Sequence, residues 1–491
     1  MNGNARNDSD TDATSLGADI LNPFVHRLEL GSTYEKLKTI FLTIALLPFR
    51  LAAITTLMIM AWLLACLGLL GLSEEDLRRA PLKGWRRKIV PWLCYLGRLT
   101  YQAGGMKIVV RGRQASRSEA PILVLAPHST FIDGGIVYVT GFPSIIVRRE
   151  SGLNPFIGKL INYTQPVYVW RDDPNSRQNT IKEIIERTTS KEDWPQVMIF
   201  PEGTCTNRSC LITFKSGAFY PGVPVQPVCI RYPNKLDTVT WTWEGPGALK
   251  LLWLTLTQLN SSCEIEFLPV YNPSEAEKMD PKLYANNVRR LMAEALKIPV
   301  SDYTYDDCRI IQKAHQLHLP YASSIVKTHK LRCKLGLVAS KTEEELIQKK
   351  MNNFDDVNLQ EFAQILRLDE KDPATQQLFR IHDRLGQGKI DLQEYIFTVL
   401  ATANASSELD KVEIAFNVCG SKTTLCLTQS ELRKALRLSL HIQSEESNKI
   451  FQQARNDGDD VSFDDVLTQL SNRAEYTHLF AANNENSKKA I

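Results

Sequence analysis

The spacing of hydrophobic positions changes character twice along the chain. From Ile40 to Leu72 the sequence IFLTIALLPFRLAAITTLMIMAWLLACLGLLGL is apolar almost without interruption, and its part from Leu51 to Leu72 carries no charge. As a helix that part is long enough to cross about 30 Å of hydrocarbon. Pro48 and Arg50 break the run near its start, so the segment is expected either to span or to turn back as a re-entrant hairpin, with those residues at its tip or rim. Between about residues 105 and 265, short β-branched runs predict buried strands: MKIVVRG, PILVLA, SIIV, PVYVW, QVMIF, VPVQPVCI and CEIEFLPV. Helical candidates such as NTIKEIIERTTS lie between some of them, which is the pattern of an α/β domain. Beyond about residue 341 the strands give way to charged helices, beginning with KTEEELIQKK.

Composition adds boundaries rather than chemistry. A chain of 491 residues is longer than one core usually serves, so two or three units are expected. An apolar content of 43% and a formal net charge of +3 exclude a disordered chain and a generic polyanion binder. The first 25 residues are too polar for a signal peptide. Local charge says more: Lys36 and Lys38 precede the apolar run, whereas Arg78, Arg79, Lys83, Arg86, Arg87 and Lys88 follow it, which points to a cytosolic body. The stretch LKGWRRKIVPWLCYLGRLTY mixes Trp85, Trp92 and Tyr95 with cations and reads either as an interfacial helix on phospholipid or as a surface helix with an apolar core face. The ten cysteines form no CxxC pair or His-flanked zinc pattern; Cys205 and Cys210 are close enough for a small disulfide, with reduced thiols the preferred reading.

Polar residues cluster where strands are expected to end. His128 follows ILVLA, Arg171 follows VYVW and Glu202 follows VMIF, and the crevice beyond such strand ends is where open α/β sheets bind ligands. Five positions within one helix would set His128 and Asp133 about 140° apart. A loop entering a short helix, capped by Ser129 or Thr130, lets the imidazole fold back on the carboxylate, with Gly134 and Gly135 permitting close packing. Asp133 would then fix the tautomer of His128, leaving the other nitrogen to take a proton from a substrate hydroxyl without a protein nucleophile. In FPEGTCTNRSCLITFKSGAF the turn Pro201, Glu202, Gly203 and Thr204 can converge backbone N–H groups on an anion, with Arg208 and Lys215 downstream. Arg171 and Arg177 flank the loop RDDPNSR and suit a phosphate better than a neutral ligand.

These blocks resemble a known family. PHSTFID is similar to the HxxxxD motif of the glycerolipid acyltransferases, RRESGLNPFIG to their second block, FPEGTCTNRS with FKSGAF to their third and VPVQPV to their fourth, in the same order. With the C-terminal region, the wording is most similar to the lysophosphatidylcholine acyltransferases that carry EF-hands. The resemblance implies an α/β acyltransferase domain with an N-terminal membrane-anchoring helical segment and a C-terminal all-helical EF-hand-like region. It implies acyl-CoA-dependent acylation of the free glycerol hydroxyl of a lysophospholipid, foremost lysophosphatidylcholine, with acetylation of lyso platelet-activating factor as an extension. His128 would be the base and Asp133 its orienter. Arg149, Glu150, Arg171, Arg177, Glu202, Gly203, Thr204 and Lys215 would bind substrate. Acyl-CoA is a co-substrate, and no bound organic cofactor is expected. Many relatives have Asn where this chain has Pro127. The alternatives are a 1-acylglycerol-3-phosphate or glycerol-3-phosphate acceptor, or a calcium-responsive membrane adaptor on an inactive scaffold.

The C-terminal third carries a repeat: VNLQEFAQIL from Val357, IDLQEYIFTVL from Ile390, LTQSELRKAL from Leu427 and VSFDDVLTQL from Val461. Each resembles the end of an EF-hand loop and its exiting helix. The best loop, residues 383–394, offers Asp383, Gln387, Asp391 and Glu394 as calcium ligands, but Leu385 replaces an oxygen donor. Four degenerate units are expected, suited to scaffolding more than to calcium sensing. The domain map is a polar tail over 1–37, the membrane segment over 38–72, the acyltransferase domain over 73–320, a linker over 321–340, the EF-hand-like region over 341–475 and a tail over 476–491. Lys488 and Lys489 in the terminal NSKKAI resemble a dilysine signal read by retrieval machinery. Joined to the membrane segment, it points to the endoplasmic reticulum membrane as the expected location, with Golgi or lipid droplets as alternatives. Sequons occur at Asn7, Asn162, Asn207, Asn260 and Asn404; a glycan on Asn207 would crowd the third motif.

Overall fold

The computed structural model describes residues 22–170, 173–337, 340–348, 356–420, 426–455 and 458–480. Arg171, Lys488 and Lys489 therefore lie outside the described residues. The chain divides into two compact units, Met1–Tyr305 and Asp306–Ile491.

Unit 1 is built on a seven-stranded sheet: β1 (Met106–Arg111), β2 (Ile122–Ala126), β3 (Ser144–Arg148), β4 (Val167–Val169), β5 (Val197–Ile199), β6 (Val225–Arg231) and β7 (Ser261–Phe267). The order across the sheet is β1-β7-β6-β2-β5-β3-β4. Strands β6, β2, β5, β3 and β4 are parallel, and β7 turns antiparallel to β6 while pairing in parallel with β1. Every residue of β2 is buried because the sheet is covered on both faces. The pleat sends alternate residues to opposite cores. Leu123 and Leu125 join Ala61, Ala65, Leu93 and Leu96 on one face, and Ile122, Val124 and Ala126 join Ile184, Val288 and Met292 on the other.

The apolar run forms α1 (Thr33–Ala45) and α2 (Leu47–Gly68), parted at Leu46. Pro48 occupies the first turn of α2, where its missing N–H costs nothing. Arg50 is buried and donates to the carbonyls of Leu256 (2.8 Å), Gln258 (2.5 Å) and Leu259 (2.7 Å), satisfying the end of the helix Ala248–Leu256. At the other end of α2, Arg86 Nε donates to Gly68 O at 3.0 Å. Both ends of the helix are thus tied to unit 1, with Arg50 acting as a cap for carbonyls of that unit. The helix Val90–Ala103 buries Leu93, Leu96 and Gly97 as an apolar core face while leaving Trp92 and Tyr95 exposed.

Unit 2 is helical, with two short antiparallel pairs. β8 (Asp356–Val357) pairs with β9 (Ile390–Asp391), and β10 (Cys426–Thr428) pairs with β11 (Asp460–Ser462). The expected linker, 321–340, is not one: Ala322–Lys334 is a helix with Ile325 and Leu331 in the core of unit 2. Arg332 on it pairs with Glu343 and donates to Tyr395 Oη at 2.5 Å, all three buried. Its polar surface residues concealed this packed face. The first unit accordingly closes at Tyr305 and not at residue 320.

Candidate active site

β2 delivers the chain to Pro127 and His128 at the sheet edge where β5 and β6, both parallel to β2, also end. The Ala126–Pro127 peptide is cis. The next residues fold as a 3-10 turn, Phe131–Gly135, capped by Thr130. This turn brings Asp133 back toward His128. His128 Nδ1 lies 2.9 Å from Asp133 Oδ2, which also accepts from the backbone N–H groups of Ser129 (2.8 Å) and Thr130 (3.1 Å). Asp133 Oδ1 accepts from Tyr232 Oη at 2.5 Å. The carboxylate is fully buried and carries four donors, so in the neutral ring Nδ1 of His128 keeps the proton and Nε2 is the acceptor. A Cβ on Gly135 would lie 1.7 Å from Tyr101 Oη, which itself donates to Ile132 O at 2.6 Å; here only glycine admits the close approach.

The imidazole stacks on Phe200 with centroids 4.2 Å apart, and the His128 side chain remains 24% exposed. Burial alone would depress the imidazole; Cys205 beside the ring and the Asp133 carboxylate reverse that and hold His128 well above the ordinary imidazole range. Cys205 and Cys210 are both free thiols.

Glu202 is fully buried. Its Oε2 accepts from the backbone N–H of His128 at 2.7 Å, while Thr206 N donates to His128 O at 2.7 Å. The third block therefore grips the histidine by its backbone. Burial pushes the Glu202 carboxyl up to about 8, although hydrogen bonding from His128 opposes it. Between about 4.5, the ordinary carboxyl value, and about 8 the unfolded chain has lost this proton while the folded chain keeps it. Stability falls with rising pH across that window and levels above it. A thermal-melt series of Glu202→Gln against wild type is expected to lose this component of the slope, with the variant gaining relative stability as pH rises from 5 to 8. An unchanged difference across the series would contradict a buried neutral acid.

The remaining sequence candidates separate into near and far. Gly203, at φ +69, packs against Lys215, whose Nζ lies 3.7 Å from the ring centre of Tyr305. Thr204 follows Gly203 directly and is half-buried. Arg208 donates to Ser129 Oγ (3.1 Å) and Asp237 Oδ2 (2.5 Å), so this cation already has a carboxylate partner. Arg149 is paired with Glu74 at 3.2 Å and stacks on Trp170 at 4.4 Å. Glu150 and Arg177 are exposed. Among the described residues, no hydrogen bond or ion pair joins Arg149, Glu150 or Arg177 to His128. The Asn207 side-chain amide donates to Asn22 O (3.0 Å) and Val25 O (2.9 Å), so a glycan there would displace both bonds.

Sequence reasoning missed Tyr232, Phe200 and Tyr101. The signal for Tyr232 was present: it is the first residue after β6, at the same edge as His128 after β2.

In unit 2 three of the four candidate calcium ligands, Asp383, Asp391 and Glu394, are otherwise engaged. Asp383 accepts from Gln387 N (2.9 Å) and Gly388 N (2.8 Å), Glu394 pairs with Arg384 at 2.9 Å, and Asp391 pairs with Lys434 at 3.0 Å. The corresponding acids of the other repeats, Glu361, Glu431 and Asp465, bond to Asn358, Thr428 and Ser462 at the start of their own helices. Among the described residues no cluster of three or more His, Cys, Asp or Glu side chains could hold a metal ion.

Comparison with known proteins places these features. The Acyltransferase family model matches residues 107–231, which include the His128, Asp133 and Glu202 constellation. The chain is 46% identical over 408 residues to the lysophosphatidylcholine acyltransferase of Drosophila melanogaster, covering 82% of this chain and 76% of that protein. It is 42% identical over 464 residues to human lysophosphatidylcholine acyltransferase 2, covering 94% and 84%. The crystal structure of the 1-acyl-sn-glycerophosphate acyltransferase of Thermotoga maritima aligns at a TM-score of 0.36 and 19% identity, covering 53% of this chain and 97% of that one. The length and identity of the first two matches decide the matter: the chain belongs to the lysophosphatidylcholine acyltransferase family.

Proposed function

We propose that the chain transfers an acyl group from acyl-CoA to the free glycerol hydroxyl of a lysophospholipid, foremost converting lysophosphatidylcholine to phosphatidylcholine. Acetylation of lyso platelet-activating factor is the same chemistry with a shorter donor. The observation that carries this reading is the buried, four-donor Asp133 holding the partly exposed His128 by Nδ1, which turns Nε2 away from the carboxylate.

His128 Nε2 takes the hydroxyl proton as the oxygen attacks the thioester carbonyl, and collapse of the adduct breaks the C–S bond and releases the CoA thiol, to which His128 returns the proton. A thioester is already activated, so positioning and proton removal supply much of the acceleration. Backbone amides near the motifs are the expected donors to the oxyanion. Gly203, Thr204 and Lys215 would border the acceptor, with Arg171 and Arg177 as phosphate contacts. Arg149 would act through its Glu74 and Trp170 contacts, and Glu150 stays an exposed candidate at the rim. For Glu202 the burial favours a different role from the one its motif suggests: it fixes the His128 backbone instead of facing substrate.

Headgroup choice is tested by presenting the purified chain in vesicles with acyl-CoA and lysophosphatidylcholine, lysophosphatidate or glycerol 3-phosphate in turn. The expected result is fastest turnover of lysophosphatidylcholine. Preference for either phosphate monoester would move the chain to the alternative acceptor, and absence of transfer to all of them would favour the non-enzymatic adaptor.

Unit 2 is proposed to hold four EF-like units in two pairs. Support comes from the pairings Val357 with Ile390 and Leu427 with Val461, which join the four residues that begin the sequence repeats. Loop carboxylates already bonded to Arg384, Lys434 and helix starts favour scaffolding over calcium sensing. Calorimetry on the full chain is expected to give no calcium site in the ~10⁻⁷–10⁻⁵ M range of sensors. A saturable micromolar isotherm would overturn the scaffold reading. The endoplasmic reticulum membrane, reached through the Lys488 and Lys489 signal, is the proposed location.

A further inference from the structure

The second sequence block contains a feature that the chemistry at His128 does not use. Leu153, Phe156 and Ile157 are 62%, 76% and 51% exposed, a compact apolar patch on a five-residue loop. The loop is held in shape from within. Asn154 Oδ1 accepts from Phe156 N (3.0 Å) and Ile157 N (3.1 Å), and Gly158 N returns to Asn154 O at 2.9 Å. The polar side chain is thereby turned toward its own backbone, leaving the apolar ones outside.

The loop's surroundings indicate what covers it. Pro155 O accepts from Trp62 Nε1 at 3.1 Å, which fastens the loop to α2. The neighbouring outer face of α2 is apolar, with Ile59, Met60, Leu63 and Leu67 exposed, and the helix is long and apolar enough to cross a membrane. At the same end of α2, Arg86 bonds to Gly68 O and stacks on Trp85 at 4.9 Å, an aromatic and cationic pair of the kind found at the lipid–water boundary. The loop also follows the short helix at the end of β3, so it stands on the sheet edge shared by His128 and Glu202.

We propose that the loop Leu153–Ile157 is a second membrane-inserting element, placing Leu153, Phe156 and Ile157 in the interfacial zone of a phospholipid bilayer beside α2 and holding the catalytic sheet edge against the lipid surface. A lysolipid then meets the site from the bilayer, with its headgroup at the height of His128 and its chain still among other chains. The patch is continuous with the lipid-facing side of α2, which favours a bilayer over a second copy of the chain as its occupant. The proposal rests on the reading of α2 as lipid-facing.

The test uses the full chain in phosphatidylcholine vesicles whose acyl chains carry bromine near the glycerol. In Phe156→Trp, the emission added over wild type is expected to be quenched by the brominated lipid. Added emission that the lipid leaves unquenched, whether water-accessible or shielded by another chain, overturns the insertion. Flotation of the same sample separates the two readings: a chain that does not float with vesicles refutes lipid contact by α2 itself. A second variant, Phe156→Glu with Ile157→Glu, is expected to raise the apparent KM for vesicle-borne lysophosphatidylcholine ~10-fold or more, the scale of losing buried aromatic and aliphatic surface. Turnover of a water-soluble short-chain lysophosphatidylcholine should stay near wild type. Equal kinetics on both substrates, unchanged or lowered together, count against the proposal.

Discussion

Replacing His128 by alanine is expected to lower acyl transfer by about 10²- to 10⁴-fold, the usual contribution of a positioned general base. Fold and membrane association should survive, because the bonds that hold this residue in place belong to its backbone. Glu202 still accepts its N–H, Thr206 still donates to its carbonyl, and Asp133 keeps Tyr232, Ser129 and Thr130. What is lost is the ring: its Asp133 bond and its stack on Phe200. A purified variant that keeps more than about a tenth of wild-type turnover would remove His128 from the base role, given that range. In the wild type the active base is the neutral ring, and His128 is held above the ordinary 6.5. kcat/KM should therefore climb with pH through neutrality rather than level off below it.

Asp133→Asn carries the second large effect. The substitution preserves shape but gives the acceptor site a neutral amide. If its NH₂ faces His128, the ring must accept at Nδ1 and carry its proton on Nε2, where it cannot act as a base. If its oxygen does, the NH₂ meets Tyr232 Oη and the imidazolium loses its counter-charge. Changes of this kind lower turnover by up to about 10⁴ where a histidine depends on a buried aspartate. The loss should fall on kcat with little change in the KM for lysolipid. The acid limb of the surviving activity should shift to lower pH, because removing the carboxylate stabilises the neutral ring. Tyr232→Phe removes one of the four donors and should give the smaller member of the same series. Steady-state kinetics across pH on the three proteins check both points. An Asn variant with wild-type kcat would separate Asp133 from the chemistry.

The parts of the site that could be read from the sequence were those in which neighbours along the chain are neighbours in space. ILVLA announced β2, and the five-residue step from His128 to Asp133 required a turn that Thr130 caps. Tyr232 lies in a distant part of the chain, and a tyrosine after an apolar strand looks like core; only the parallel pairing of β6 with β2 brings it to Asp133. Glu202 poses the opposite difficulty. Its motif suggested a substrate-facing turn, but the acid points inward to the His128 backbone while Gly203 and Lys215 are exposed. Arg149 illustrates a third difficulty, since its partner Glu74 lies outside the matched domain and no local pattern signals the pairing. In the C-terminal unit the repeat was legible through its branched residues. Whether its carboxylates face a metal or a helix start depends on cations and caps that periodicity does not report.

Rapid-quench measurement of CoA release tests direct transfer by His128 most sharply, because the Cys205 thiol beside the ring offers the alternative of an acyl-enzyme. Wild-type protein in vesicles is mixed with acyl-CoA first without acceptor and then with lysophosphatidylcholine. With direct transfer, no CoA is released before the lysolipid is added; afterwards CoA and phosphatidylcholine form one for one, and both signals vanish in His128→Ala. A burst of CoA equal to the enzyme concentration in the absence of lysolipid would contradict it.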